Sequence, residues 1–190
     1  MTKKALIVVD VQNDFCSGGA LAVAEGDRIM PTVNVLVDAF KASGDIIVYT
    51  KDSHPEDHAS FAKNHPDGIW PPHCVQGTAG EAFHPDLKVE GEIFYKAFLT
   101  EKDSYSGFGG HQACQQDATS LNDYLQQNSV KDITVVGLAL DYCVKSTAID
   151  AQNLGFQTSV ILDGTRAVNV NPGDAEKVIA ELKAAGVAVK

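Results

Sequence analysis

The stretch from Asp132 to Ala151, DITVVGLALDYCVKSTAIDA, sets a strand, a turn and a helix in succession around one cysteine. Ile133, Thr134, Val135 and Val136 form a β-branched run too short and too apolar for anything but a buried strand. Gly137 ends the run and a linker, Leu138 to Tyr142, follows. Cys143 then opens a segment with helical spacing of Val144, Thr147, Ala148 and Ala151. A cysteine on such a turn lies among unpaired backbone N–H groups at the positive end of a helix dipole. That setting favours the thiolate, the reactive form of the side chain. In an open α/β sheet, ligands bind at the carboxyl ends of the strands, so the same turn is where a pocket is expected. The bland alternative is that Cys143 is a small buried hydrophobe, the usual fate of a free cysteine.

The rest of the chain repeats this alternation. Ala5 to Val9 is a continuous apolar run ending in Asp10, as in a buried parallel strand. Residues 28 to 43 carry Ile29, Val33, Leu36, Val37 and Phe40 at helical spacing, with Gly44 as the stop. Asp45 to Thr50 is a second strand, ending at Lys51-Asp52, and residues 91 to 97 are a third, ending at Lys96. Between them lies a long Pro-, His-, Gly- and Asp-rich stretch; a loop of that length in a compact domain is usually functional or disordered, and its aromatic and histidine content favours function. A second loop spans 103 to 111 and a helix lies near 117 to 127. A strand over Gln157 to Leu162 ends at Asp163, and a helix over 174 to 185 and a closing strand over 187 to 189 complete the chain. The expected fold is α/β: one domain over residues 1–190, a parallel sheet flanked by helices on both faces in a Rossmann-like three-layer sandwich.

A net charge of −10 argues against nucleic acid or an anionic membrane as partner. No apolar run reaches transmembrane length, and MTKKALIVVD lacks a signal-peptide cleavage pattern. Four scattered cysteines (16, 74, 114 and 143) make no disulfide framework, so a cytoplasmic protein with free thiols is expected.

Three polar groups end three strands: Asp10, Lys96 and Cys143. Parallel strands place such ends on one edge, so these residues can converge. Together they supply what cysteine acyl transfer needs: a nucleophile, a carboxylate to take and return its proton, and a cation to depress the thiol pKa. Backbone N–H groups around Ala139 and Cys143 suit an oxyanion hole. Asp52, His54 and His73 form a second set whose mixed carboxylate and imidazole donors suit Zn²⁺, Fe²⁺ or Mn²⁺. His58 is a possible further ligand, while His65, His84 and His111 read as surface loop histidines.

DVQNDFCSGGAL (10–21), KDSHPEDHASF (51–61), WPPHCVQGTAGEAFHP (70–85), FYKAF (94–98), YSGF (105–108) and VVGLALDYCVKSTAIDA (135–151) run in order along the chain. Together they resemble the nicotinamidases of the isochorismatase-like cysteine hydrolases. The resemblance implies catalytic Asp10, Lys96 and Cys143, and metal ligands Asp52, His54 and His73. It also implies an oxyanion hole at Ala139 and Cys143 beside a cis Leu138–Ala139 peptide, and pocket walls at Phe15, Trp70 and Tyr105. The implied reaction converts nicotinamide, and pyrazinamide with it, to the acid and ammonia through a thioester, with the ring nitrogen on the metal. The implied cofactor is one divalent ion, zinc first, with iron and manganese as alternatives. A small-molecule substrate in NAD salvage and a homo-oligomer are implied as well. The sequence departs from the pattern at Tyr142, where histidine is frequent. Another amidase or isochorismatase-like hydrolase of the same fold, a thiol redox sensor and an inactive binding protein are the competing readings. The last two leave Asp52, His54 and His73 without a use.

Overall fold

In the computed structural model, which describes residues 3–190, the apolar runs assemble into one parallel sheet. Its strands are β1 (Lys3–Val9), β2 (Ile46–Asp52), β3 (Glu92–Lys96), β4 (Val130–Leu138), β5 (Gln157–Arg166) and β6 (Ala188–Val189). The six stand in the order β3-β2-β1-β4-β5-β6, and every pairing is parallel. β1 lies in the middle with Ala5 to Val9 wholly buried, which is why it reads as an unbroken apolar run rather than an alternating one. One face packs under α2 (Leu121–Gln127), α3 (Lys145–Asn153) and α4 (Asp174–Ala184), through Leu121, Leu125, Ala148, Val178 and Leu182. The other face packs under α1 (Met30–Ser43), through Met30, Val33 and Val37. Each such aliphatic side chain contributes about 1.5–3 kcal/mol when fully buried.

The order of strands decides where a ligand can bind. From β1 the chain winds outward through β2 and β3, then returns to β1's other side and winds outward through β4, β5 and β6. The crevice therefore opens at the carboxyl ends of β1 and β4, where the winding reverses. Gly137 lets the two strands approach there. Its φ is +115°, and a Cβ on it would collide with the Val9 backbone, 2.6 Å from the nitrogen.

Several boundaries differ from those read in the sequence. β2 runs on through Asp52, because Thr50, Lys51 and Asp52 pair with Phe94, Tyr95 and Lys96 of β3. β4 begins at Val130 and ends at Leu138. β5 passes Asp163 and continues to Arg166, since a register shift between Val135 and Gly137 lets β4 pair again with Thr165 and Arg166. The helix near 117–127 starts only at Leu121, where the Ser120 hydroxyl caps it by accepting the Asp123 N–H at 3.1 Å. Residues 53 to 91 hold no regular helix or strand and are pinned by isolated bridges such as His54–Val75 and Phe61–Trp70. Among the described residues no helix is long and apolar enough to cross a membrane.

Candidate active site

Four strand ends meet at the crevice. Asp10 follows β1 in a left-handed conformation (φ 47°), Asp52 ends β2, Lys96 ends β3, and Cys143 lies in the turn Leu140–Val144 between β4 and α3. Lys96 is the hub. Its ammonium is wholly buried, pairs with Asp52 Oδ1, and lies 3.1 Å from Asp10 Oδ2 and 3.6 Å from Cys143 Sγ. It also donates to the Ser104 carbonyl at 3.0 Å. Thr50 Oγ1 donates to Asp10 Oδ1 at 2.7 Å, whereas Asp10 Oδ2 receives no hydrogen bond of proper geometry. That oxygen keeps an acceptor site free beside the thiol. The peptide Leu138–Ala139 is cis, and Ala139 and Cys143 line one pocket.

Charge in this buried cluster is unevenly shared. Burial pushes the Asp10 carboxyl up to about 6, against the pull of Lys96 and with a further push from Asp52. A carboxylate poised there is suited to trade protons near neutrality. Burial works against the Lys96 charge, but Asp10 and Asp52 outweigh it and hold the ammonium protonated. Cys143 departs from the expectation of a resting thiolate. Burial, with Asp10 and Asp52 nearby, holds its pKa well above the ordinary value and outweighs Lys96. The sulfur therefore keeps its proton at rest and needs a base at the moment of attack.

Asp52, His54 and His73 each bring one ligand atom to within 4.8 Å of the others, and all three are buried. Nδ1 of His54 lies 3.0 Å from the His73 carbonyl and Nδ1 of His73 lies 2.8 Å from the Pro71 carbonyl. Each ring thus donates from Nδ1 and turns Nε2 inward, the orientation that a metal-binding imidazole takes from its outer partners. Burial, then the neighbouring His54, holds His73 below its ordinary range, which keeps a lone pair available. Two imidazoles and a carboxylate fit a zinc-type ion with open positions. His58 is wholly buried against His54, with ring centroids 4.5 Å apart, but it groups with His54 and Asp103 rather than with Asp52 and His73.

Phe15, Trp70 and Tyr105 line the same pocket as Asp52, His54, His73 and Cys143. Trp70 Nε1 donates to the Tyr105 hydroxyl at 3.0 Å. Tyr142, not assigned a role from the sequence, completes an aromatic cluster, 5.1 Å from Trp70 and 5.6 Å from Tyr105 between centroids. Its place beside Cys143 was the available signal. Asp103 also lines the pocket, 3.9 Å from His54 Nε2.

Gln12 was missed as well. Its wholly buried carboxamide donates to the Asp52 and Glu81 carbonyls, both at 2.8 Å, and accepts the Asp52 N–H at 2.9 Å. This two-point clasp holds the end of β2 as a neighbouring strand would. Gln12→Ala leaves those groups buried without partners, at about 1–3 kcal/mol for each unmade bond. Urea unfolding is expected to show about 3 kcal/mol lower stability, whereas a change below about 0.5 kcal/mol would mean that water replaces the amide.

The model of the isochorismatase domain matches residues 4–189 of the chain. The nicotinamidase of Escherichia coli (strain K12) is 41% identical, with 98% of this chain and 93% of that protein aligned. The crystal structure of the pyrazinamidase of Pyrococcus horikoshii in complex with zinc superposes with a TM-score of 0.88 at 41% identity, over 99% of this chain and 98% of that one. PnC1 from L. infantum, in complex with nicotinate, superposes with a TM-score of 0.86 at 34% identity, over 100% of this chain and 92% of that one.

Proposed function

The chain belongs to the isochorismatase family, and from that membership we propose that it is a nicotinamidase, hydrolysing nicotinamide to nicotinate and ammonia and accepting pyrazinamide as well. The observation that carries this reading is the convergence of Asp10, Lys96 and Cys143 in one pocket with Asp52, His54 and His73. A thiol hydrolase centre beside a nitrogen- and oxygen-donor metal group is what a pyridine carboxamide requires: one end to react, the other to hold.

Asp52, His54 and His73 would hold the ion, zinc by donor chemistry and by likeness to the zinc-bound relative. An ion bound there would supply a Lewis-acid anchor for the ring nitrogen. Phe15, Trp70, Tyr105 and Tyr142 wall the ring and orient the carboxamide carbon toward Cys143. Orientation of this kind contributes several kcal/mol toward lowering the barrier. As the Cys143 sulfur bonds to that carbon, its proton passes to the free Oδ2 of Asp10. The Ala139 and Cys143 amides receive the developing oxyanion, each such donor worth about 3 kcal/mol. Asp10 then protonates the departing nitrogen and ammonia leaves a thioester. Asp10 next draws a proton from water, which attacks the thioester, releases nicotinate and restores the thiol. Lys96 keeps Asp10 ionised between these steps. In the cell the reaction would serve NAD salvage in the cytoplasm, and the enzyme would act as a homo-oligomer.

Ammonia release from nicotinamide by the purified protein, before and after chelation, tests the assignment. Activity is expected to vanish on chelation and to return with zinc, and His54→Ala is expected to bind no zinc in the pocket. Activity indifferent to chelation would remove the ion from the proposal, and no release from either carboxamide would remove the substrate.

A further inference from the structure

Behind the pocket wall, Cys16, Asp27 and His84 bring one ligand atom each to within 4.8 Å of one another. The proposed reaction uses none of them. Cys16 is buried, while Asp27 and His84 are partly exposed. Cys16 caps the turn Asn13–Phe15, Asp27 lies in the turn Gly26–Ile29 that leads into α1, and His84 comes from the long irregular segment.

One of the donors is already oriented. Asp27 Oδ1 accepts the Ser17 N–H at 2.8 Å, which fixes the carboxylate toward Cys16. Burial, with the Asp27 carboxylate, pushes the Cys16 thiol up to about 12, so its proton stays until a stronger Lewis acid takes the place. His84 Nδ1 accepts the Asp86 N–H at 3.2 Å, and the Asp86 carboxylate lies 4.0 Å from the same nitrogen. That bond puts the ring proton of the neutral imidazole on Nε2, so Nε2 offers a lone pair to the group only once that proton has moved.

We propose that Cys16, Asp27 and His84 form a second divalent-cation site of the zinc class, separate from Asp52, His54 and His73. Thiolate, imidazole and carboxylate are the donor types zinc takes, and water would fill the fourth position. On binding, the Cys16 S–H bond breaks, the sulfur bonds the cation and the proton leaves to solvent. No electron moves. For His84 to bind through Nε2 its ring proton moves to Nδ1, the hydrogen bond from the Asp86 N–H breaks, and Nδ1–H turns to the Asp86 carboxylate, the outer-carboxylate arrangement common around metal-bound histidines. The site would stitch the segment carrying Phe15, Leu21 and Val23, three residues of the pocket wall, to residue 84.

Zinc content of the full chain, stripped with a chelator and then dialysed against the metal, tests this directly. Two equivalents per chain are expected for the wild type, and one each for Cys16→Ser, His84→Ala and His54→Ala. With cobalt in place of zinc, a thiolate-to-cobalt absorption band is expected in the wild type, kept in Cys143→Ala and lost in Cys16→Ser. His84 stands on the rim of the group, so His84→Ala decides the matter if Cys16→Ser does not fold. A count that His84→Ala leaves unchanged, or a cobalt–thiolate band that Cys143→Ala removes, overturns the proposal. One equivalent that His84→Ala removes and His54→Ala keeps would uphold this site and discard the metal role proposed for the pocket.

Discussion

Cys143→Ala is expected to lower ammonia release by about 10⁴-fold or more, the scale on which removal of a nucleophile acts when it works in concert with its base. The fold is expected to survive. Cys143 belongs to the same buried cluster as Leu140, Val144 and Ala148, and loss of one sulfur there leaves a cavity smaller than a methylene pair, a cost of about 1 kcal/mol. The exchange also removes a buried thiol whose proton is held in place by two carboxylates, so no charge is stranded. Zinc content and an unchanged circular dichroism spectrum would separate loss of chemistry from loss of structure. Turnover above about a tenth of wild type would mean that another group makes the bond to carbon.

Lys96→Ala is expected to damage stability and activity together. The ammonium is wholly buried and is the cation shared by Asp10 and Asp52, themselves both buried. Removing one partner of a buried ion pair costs about 3–5 kcal/mol, because the remaining charges stay in a medium that solvates them poorly. Burial and Asp52 already raise Asp10, and Lys96 is the largest influence in the other direction. Without Lys96 the Asp10 carboxyl holds its proton through neutrality and cannot accept one from Cys143. The sign of the pH dependence follows. A carboxyl whose folded pKa lies above its unfolded value is least costly when protonated, so the stability lost by Lys96→Ala is expected to shrink as the pH falls toward 5. Urea unfolding at pH 5 and pH 8 measures it. Equal losses at both values would show that the carboxylates are not what Lys96 holds in place.

Much of this was legible in the chain itself, for a local reason. Unbroken apolar runs such as Ala5–Val9 and Ile133–Val136 can only be strands buried on both faces, and helices between them force a parallel sheet. Parallel strands share one carboxyl edge, so the polar residues Asp10, Lys96 and Cys143, at the ends of runs far apart in sequence, could be read as able to converge, and the structure adds Asp52 to them through Lys96. Strand length was not legible, because pairing partners set it: β2 reaches Asp52 through β3, and β5 reaches Arg166 through a register shift in β4. Gln12 resembled any polar residue after a strand until its carboxamide met the backbone of Asp52 and Glu81. Nor could the sequence tell that Cys143 rests as a thiol. A helix terminus and one lysine argue for thiolate; full burial and two carboxylates argue more strongly for the proton. Periodicity records which way a side chain faces along its own element. Protonation depends on every charge within a few ångströms and on the water excluded between them, and that is settled only when the elements pack.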